Sequence, residues 1–415
     1  MIRFPIYIGD DAITALLEFC RTQTHNAFLL VADENTWEVL GRRVAGALEG
    51  TGADLVTAVL RGEVVADARY LTEVMVAADR HERTFIAVGS GTITDITRLV
   101  SHRTRTSFIS MPTAPSVDGF ASIGAPVVLR GVKQTVIAHP PIAIFGDLPT
   151  LRAAPAELIA AGFGDMIGKF TSLADWRLGA LLWDEPYDRA IADRARAAVR
   201  ACTDRAEAIG SRSDEAILSL MEGLIESGLC MLDFGASRPA SGAEHHCSHC
   251  WEMRHLAEGS SATLHGAKVG VATIMVAERY EQLRTLDRDE VVRRLRAVDP
   301  PSRADEVETI RRVYGPIAES IIGVQSAFLN LADRVDDSLD ALFSRIVERW
   351  DEILEIAATV PPPERIREWL TAVGAPITTA ELDLSDEERD TAFRHSHYLR
   401  DRFTIRKLER YLDEE

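Results

Sequence analysis

No unbroken apolar run in the 415 residues approaches the roughly 18–20 residues of a membrane span, so a helical transmembrane protein is excluded. Positive charge is also short. Lys plus Arg number 46 against 64 Asp plus Glu, a formal net charge of −18. A surface of that sign repels phosphate backbones at long range, and a nucleic-acid partner is not expected. A small anionic substrate stays open, because helix N-termini or a metal can make one pocket positive on an acidic protein. Cysteine is scarce and odd in number: Cys20, Cys202, Cys230, Cys247 and Cys250. Such a scatter is not a disulfide framework and fits a reducing compartment. The opening MIRFPIYIGDDAITALLEF lacks the basic start, apolar stretch and small-residue cleavage site of a secretory signal, so cytoplasmic residence is the expectation. Internal repeats and low-complexity linkers are missing as well.

What is present is apolar residues in two textures. Hydrophobic content of 46% is ample for burial, and the length calls for two domains. Over 1–150, short apolar runs at 28–33, 54–60, 84–92 and 106–112 alternate with helical stretches near 35–49, at about 66–80 and one ending near Val100. Two more β-rich pieces follow at 123–129 and 142–148. This alternation predicts a parallel sheet covered by helices, an α/β nucleotide-binding domain. From 151 to 415 the pattern is helix after helix, with apolar residues at i, i+3 and i+4 over 186–209, 214–233, 263–284 and 333–359. Ser385 with Glu388 has the spacing of a capping box. The expected architecture is thus an N-terminal α/β domain and an all-α C-terminal domain, with a cleft between them.

Chemistry concentrates in three places. Gly89-Ser90-Gly91-Thr92 stands where an apolar strand hands over to a helix. Glycines admit an anion to the backbone, and a helix N-terminus offers free N–H groups, so a pyrophosphate is the natural guest. Thr94 occupies the third position of G-x-G-x-x-G, and a plain strand-to-helix turn remains open. Asp33, ending an earlier strand, is a candidate for an adenosine ribose or simply a surface acid. The second place is the loop Pro112–Gly119, whose hydroxyls suit a cofactor and whose Asp118 suits a polyhydroxy substrate; a turn rich in Pro, Ser, Asp and Gly explains it equally. In the third, five of the eleven histidines fall between 245 and 265. Ser241 and Glu244 have capping-box spacing, so a helix is expected to begin there, with His245 and His249 four apart on one face. His265 opens another predicted helix, and Asp165 stands in a small-residue helix upstream. Two imidazoles and one carboxylate leave a coordination position free, which suits a catalytic divalent ion. The plainer alternatives are packing histidines and an Asp165–Lys169 pair at i+4. Cys247 and Cys250 lie roughly 200° and 140° around the helix from His245 and are read as packing residues.

These pieces in this order resemble the bacterial glycerol-1-phosphate dehydrogenases of the dehydroquinate synthase-like superfamily. The matching segments are 89–95 (GSGTITD), 112–122 (PTAPSVDGFAS), 162–176 (GFGDMIGKFTSLADW), 238–253 (RPASGAEHHCSHCWEM), 264–273 (LHGAKVGVAT) and 394–405 (RHSHYLRDRFTI). The resemblance implies one divalent metal, zinc or nickel, on Asp165, His245 and His265. It places NAD(P)H on Gly89, Ser90, Gly91, Thr92, Ile93, Thr94 and Asp95, on Thr113, Ser116 and Ser122, and on Asp33. Substrate contacts and catalysis fall to Asp118, Asp165 and His249, the last as proton relay. The implied reaction reduces dihydroxyacetone phosphate to sn-glycerol 1-phosphate, for phospholipid biosynthesis, in a homodimer. Lys169, Arg238 and the helix start near Ser241 are the expected phosphate partners. Departures separate the chain from its cousins. Iron-type alcohol dehydrogenases carry a His where Lys169 stands. Dehydroquinate synthases carry Glu at the Asp165 position and a glycine before each His of the pair, where this chain has Glu244 and Ser248.

Overall fold

The computed structural model describes residues 4–129, 132–258, 263–332 and 338–412. The strands in chain order are β1 (Ile6–Gly9), β2 (Ala27–Asp33), β3 (Asp54–Leu60), β4 (Thr84–Val88), β5 (Phe108–Met111), β6 (Gly124–Leu129), β7 (Val132–Ile137) and β8 (Ala143–Asp147). Six of them form one parallel sheet in the order β1-β8-β5-β4-β2-β3. The sheet is buried on both faces. Leu29, Val31, Phe85 and Ala87 pack into one core, and Phe28, Leu30, Ile86 and Val88 into another. That two-sided burial is why these strands are continuous apolar runs with no polar alternation.

Strand β1, too short and too exposed to register as an apolar run, escapes sequence reading. The piece at 123–129 does not join the main sheet. As β6 it pairs antiparallel with β7 in a separate ribbon. The stretch near 35–49 is not one regular helix: a π-helical turn at Trp37–Gly41 precedes the helix Arg42–Gly50.

The helical segments lie close to their predicted places, at Arg189–Thr203, Asp214–Phe234 and His265–Leu283. The Ser385–Glu388 capping box is formed. The expected helix 333–359 is two helices, Ser338–Glu348 and Trp350–Ala357; its first residues, 333–337, lie outside the described residues. Among the described residues no helix is long and apolar enough to cross a membrane.

The chain divides into two compact units. The first runs to Met166 and adds Ala197–Ala236 and Ala372–Ala375. The second comprises Ile167–Arg196, Ser237–Thr371 and the residues from Pro376 onward.

In the first unit, β2 leads outward to β3, and the chain then returns to lay β4 on the other side of β2. That reversal makes the C-terminal ends of β2 and β4 a topological switch point, the place where open α/β sheets bind ligands. Asp33 ends β2, and the glycine turn follows β4, so both flank it.

Candidate active site

At the switch point the helix Gly91–Arg103 begins with no side-chain cap on Ser90 and no acidic residue in its first turn. Its leading N–H groups and positive dipole end are therefore not met by a carboxylate of their own, and they suit a phosphate. Thr94, at the third glycine position, has its Oγ buried without a hydrogen-bond partner, as does Thr97. The two glycines differ in purpose. A Cβ at Gly89 meets Ile93 at 2.6 Å, so packing itself calls for a glycine there; at Gly91 the neighbour is Val117, at 3.0 Å. Asp33 spends one carboxylate oxygen on the Thr36 N–H, 2.8 Å away, which caps a short helix.

The second loop is tied to this turn, since the Thr113 N–H donates to Gly89 O and the Gly89 N–H to Met111 O. Thr113, Ser116 and Ser122 are buried. Arg98, missed by sequence reading, holds the loop's far end. Fully buried, it donates to the carbonyls of Gly119, Phe120 and Gly124 and pairs with Asp95 at 3.0 Å. Its only signal was an i, i+3 spacing from Asp95, which on a helix surface is commonplace. The glycine turn and the Pro112–Gly119 loop are thus tied together by backbone hydrogen bonds, with Arg98 holding the loop's end.

Asp118 sits in that loop. Its carboxylate accepts from Ser227 at 2.8 Å, and its backbone N–H donates to Asp165 Oδ2 at 3.0 Å. Asp165 is completely buried on the helix Ala156–Ile167. One turn earlier, a Cβ at Gly162 would lie 1.8 Å from Pro115 O, and one at Gly228 would lie 2.7 Å from Asp118 O. Two helices therefore admit the loop's backbone only because both residues are glycine. The carboxylates of Asp118 and Asp165 are oriented by the same loop.

In the second unit the helix Ala243–Glu258 carries His245 and His249, and His265 opens the helix His265–Leu283. The three rings cluster, with centroids 5.4 Å apart for His245–His265, 5.5 Å for His249–His265 and 6.3 Å for His245–His249. Glu244 does not close a capping box on Ser241 as its spacing suggested. Its carboxylate accepts from the Gly242 N–H, the Thr171 hydroxyl and His245 Nδ1, each at 2.7 Å. Beside it Asp175 accepts from the Ala243 N–H, the Ile405 N–H and the Tyr280 hydroxyl.

The two carboxyls are driven apart. Burial and the neighbouring Glu244 charge push Asp175 up to about 7. Burial opposes ionisation of Glu244 too, but the His245 hydrogen bond and charge, with the Thr171 and Gly242 donors, hold it below the usual glutamate range. The Glu244 contact is made through His245 Nδ1, so a metal would be met by the other ring nitrogen, Nε2. Imidazoles with one nitrogen held by a carboxylate and the other directed away from it are the donors a divalent metal requires. The histidine set fits such an ion. Glu244→Ala is expected to weaken metal affinity about 10–100-fold while His245 stays in place. Metal titration of the apo-protein checks this, and unchanged affinity would remove Glu244 from the site.

The expected phosphate partners have other engagements. Arg238 pairs with Glu185 at 2.7 Å and donates to Asp401 O. The helix start near Ser241 faces two carboxylates, Asp175 and Glu244, in place of an anion. The space between Arg238, Arg402 and Thr404 is about 10 Å³, room for one water. Lys169 is buried and gives one of its donors to Ala240 O at 3.2 Å. All five cysteines are buried, including Cys247 and Cys250.

Known proteins share this fold and much of this sequence. Residues 7–155 match the family described as iron-containing alcohol dehydrogenase. The structure of the iron-containing alcohol dehydrogenase from Corynebacterium glutamicum aligns with a TM-score of 0.63 over 99% of this chain and 94% of that one; at 14% identity this is a likeness of fold. The glycerol-1-phosphate dehydrogenase [NAD(P)+] of Halalkalibacterium halodurans is 37% identical over 404 residues, 96% of this chain and 90% of its own. That of Geobacillus stearothermophilus is 36% identical over the same shares. By identity and by coverage, the chain belongs to the glycerol-1-phosphate dehydrogenase family.

Proposed function

We propose that the protein is an NAD(P)H-dependent, metal-dependent enzyme that reduces dihydroxyacetone phosphate to sn-glycerol 1-phosphate and runs the reverse reaction. The observation that carries the reading is His245, whose Nδ1 is held by Glu244 at 2.7 Å so that Nε2 is the nitrogen a metal would take, in a ring cluster with His265. Asp165, His245 and His265 each offer one ligand atom, a carboxylate oxygen and two imidazole nitrogens, and we assign them one divalent ion, zinc or nickel. Such an ion supplies Lewis acidity toward the ketone carbonyl.

NAD(P)H is assigned to the 89–95 turn, Thr113, Ser116, Ser122 and Asp33, where the uncapped helix start takes the pyrophosphate and the nicotinamide supplies hydride. The α/β unit holds the cofactor, and the histidines come from the helical one. Asp118, fixed by Ser227, orients a substrate hydroxyl, and His249 delivers the proton that the new alcohol needs. Lys169 is assigned to the substrate phosphate, and a homodimer is the proposed assembly.

A second reading, reduction of an unphosphorylated ketose, draws on the engagement of Arg238 with Glu185. The two are separated by kcat/KM on dihydroxyacetone phosphate and on dihydroxyacetone, with NADH and with zinc or nickel present. Two charge-assisted contacts to phosphate, at roughly 1.5–3 kcal/mol each, predict a preference of about 10²–10⁴ for the phosphate. Equal efficiency on both ketones would replace the first reading by the second. Activity that survives chelation and removal of all metal would overturn the metal assignment.

A further inference from the structure

Glu252 stands three residues after His249 on the same helix and is buried. Its Oε2 lies 3.3 Å from His249 Nδ1; its Oε1 lies 3.2 Å from Lys268 Nζ and 4.0 Å from His265 Nδ1. Lys268, one turn after His265 on the neighbouring helix, is fully buried. A carboxylate so placed has two uses. It can help hold a cation, since ligand atoms of His249, Glu252 and His265 lie within 4.8 Å of one another. Or it can orient the imidazole beside it.

Lys268 decides between them. Lys268 Nζ lies 3.2 Å from Oε1, and a divalent ion at that oxygen would stand beside a lysine where little water screens like charge. The Glu252–Lys268 ion pair places a carboxylate beside His249, at 3.3 Å from Nδ1. An ionised carboxylate accepts and cannot donate, so the proton of a neutral His249 must sit on Nδ1.

We propose that Glu252, held by Lys268, is a positioning residue that fixes the tautomer and orientation of His249, making Nε2 the nitrogen that exchanges the proton in ketone reduction. The inference rests on the functional reading above and deepens it. Sequence offered one signal, the i, i+3 spacing of His249 and Glu252; the lysine that decides the role comes from another helix.

The test compares two double variants of the metal-loaded enzyme, neither of which strands a buried charge. Glu252→Gln with Lys268→Met keeps an oxygen that accepts from Nδ1–H; Glu252→Leu with Lys268→Met removes it. Proteins labelled with ¹⁵N-histidine report each ring's tautomer by NMR, the His249 signal being the one lost in His249→Asn. The wild type and the glutamine variant are expected to show His249 as the Nδ1–H tautomer, and the leucine variant a mixture. With metal content and the KM for NADH alike in both, kcat of the leucine variant is expected to fall about 10–100-fold below that of the glutamine variant. The same tautomer and the same kcat in both would overturn the proposal. Loss of metal in step with kcat would also overturn it and make Glu252 a ligand. Were the wild type to reduce no ketone, the functional reading would fail, while the tautomer comparison would still decide what Glu252 does to His249.

Discussion

His245→Ala is expected to lower kcat on dihydroxyacetone phosphate by about 10³-fold or more, with loss of tightly bound metal and an unchanged circular dichroism spectrum. The magnitude follows from losing roughly 4 kcal/mol of carbonyl polarisation, a modest share of what a bound ion supplies. The fold should survive, because His245 is oriented by Glu244 and Glu244 keeps two further donors, Thr171 and the Gly242 N–H. His265→Ala and Asp165→Asn are expected to behave alike. Asp165→Asn is the finest of the three, since an asparagine side chain still accepts from the Asp118 N–H and leaves the loop in place. Metal stoichiometry by elemental analysis and turnover under saturating NADH check all three. Full stoichiometry with a near-normal rate in any variant would take that residue out of the ligand set.

Gly162→Ala is expected to cost about a tenth as much in rate, and for a different reason. The added methyl would sit 1.8 Å from Pro115 O, well inside contact distance, and that neighbour is backbone with no flexible end to yield. Either the helix or the loop must shift. Overpacking of this kind costs about 1–3 kcal/mol and occasionally more. A shift of the loop carries Asp118 with it, and a displacement of about 1 Å at a positioning group is enough for roughly 10²-fold in rate. The expected result is a lowered Tm together with a fall of about 10²-fold in kcat/KM, at normal metal content. Gly46→Ala, with nothing within 4 Å of the new methyl, is the matched control and should leave both unchanged. A Gly162→Ala protein indistinguishable from that control would contradict the loop's assigned role.

How legible each feature was in the sequence follows from its physics. The inner strands of the sheet could be read because burial on both faces leaves them almost wholly apolar, as in the run from Phe85 to Val88. β1 could not, because two of its four residues face solvent. The β6–β7 ribbon was visible as β-rich sequence, but pairing is a long-range fact that composition does not carry. The compact division does not fall at one point in the chain: 151–166 and Ala197–Ala236 lie with the α/β unit, and helical periodicity says nothing about which core a helix serves. The histidines stood out by spacing on one helix face. Their supporting carboxylates did not. Glu244 looked like a capping residue, and Asp175, Thr171, Ser227 and Arg98 act through contacts tens of residues away in sequence. Gly162 and Gly228 were legible as glycines, and the carbonyls that require them were not.

The central claim is tested most directly by the configuration of the product. Enzyme loaded with zinc or nickel, given dihydroxyacetone phosphate and excess NADH, should oxidise NADH steadily, and the glycerol phosphate formed should be the sn-1 enantiomer. A coupled assay specific for sn-glycerol 3-phosphate should therefore stay silent while NADH disappears. Strong signal in that assay would mean that hydride reaches the opposite carbonyl face, and no NADH oxidation at all would mean that this ketone is not the substrate; either result would contradict the account.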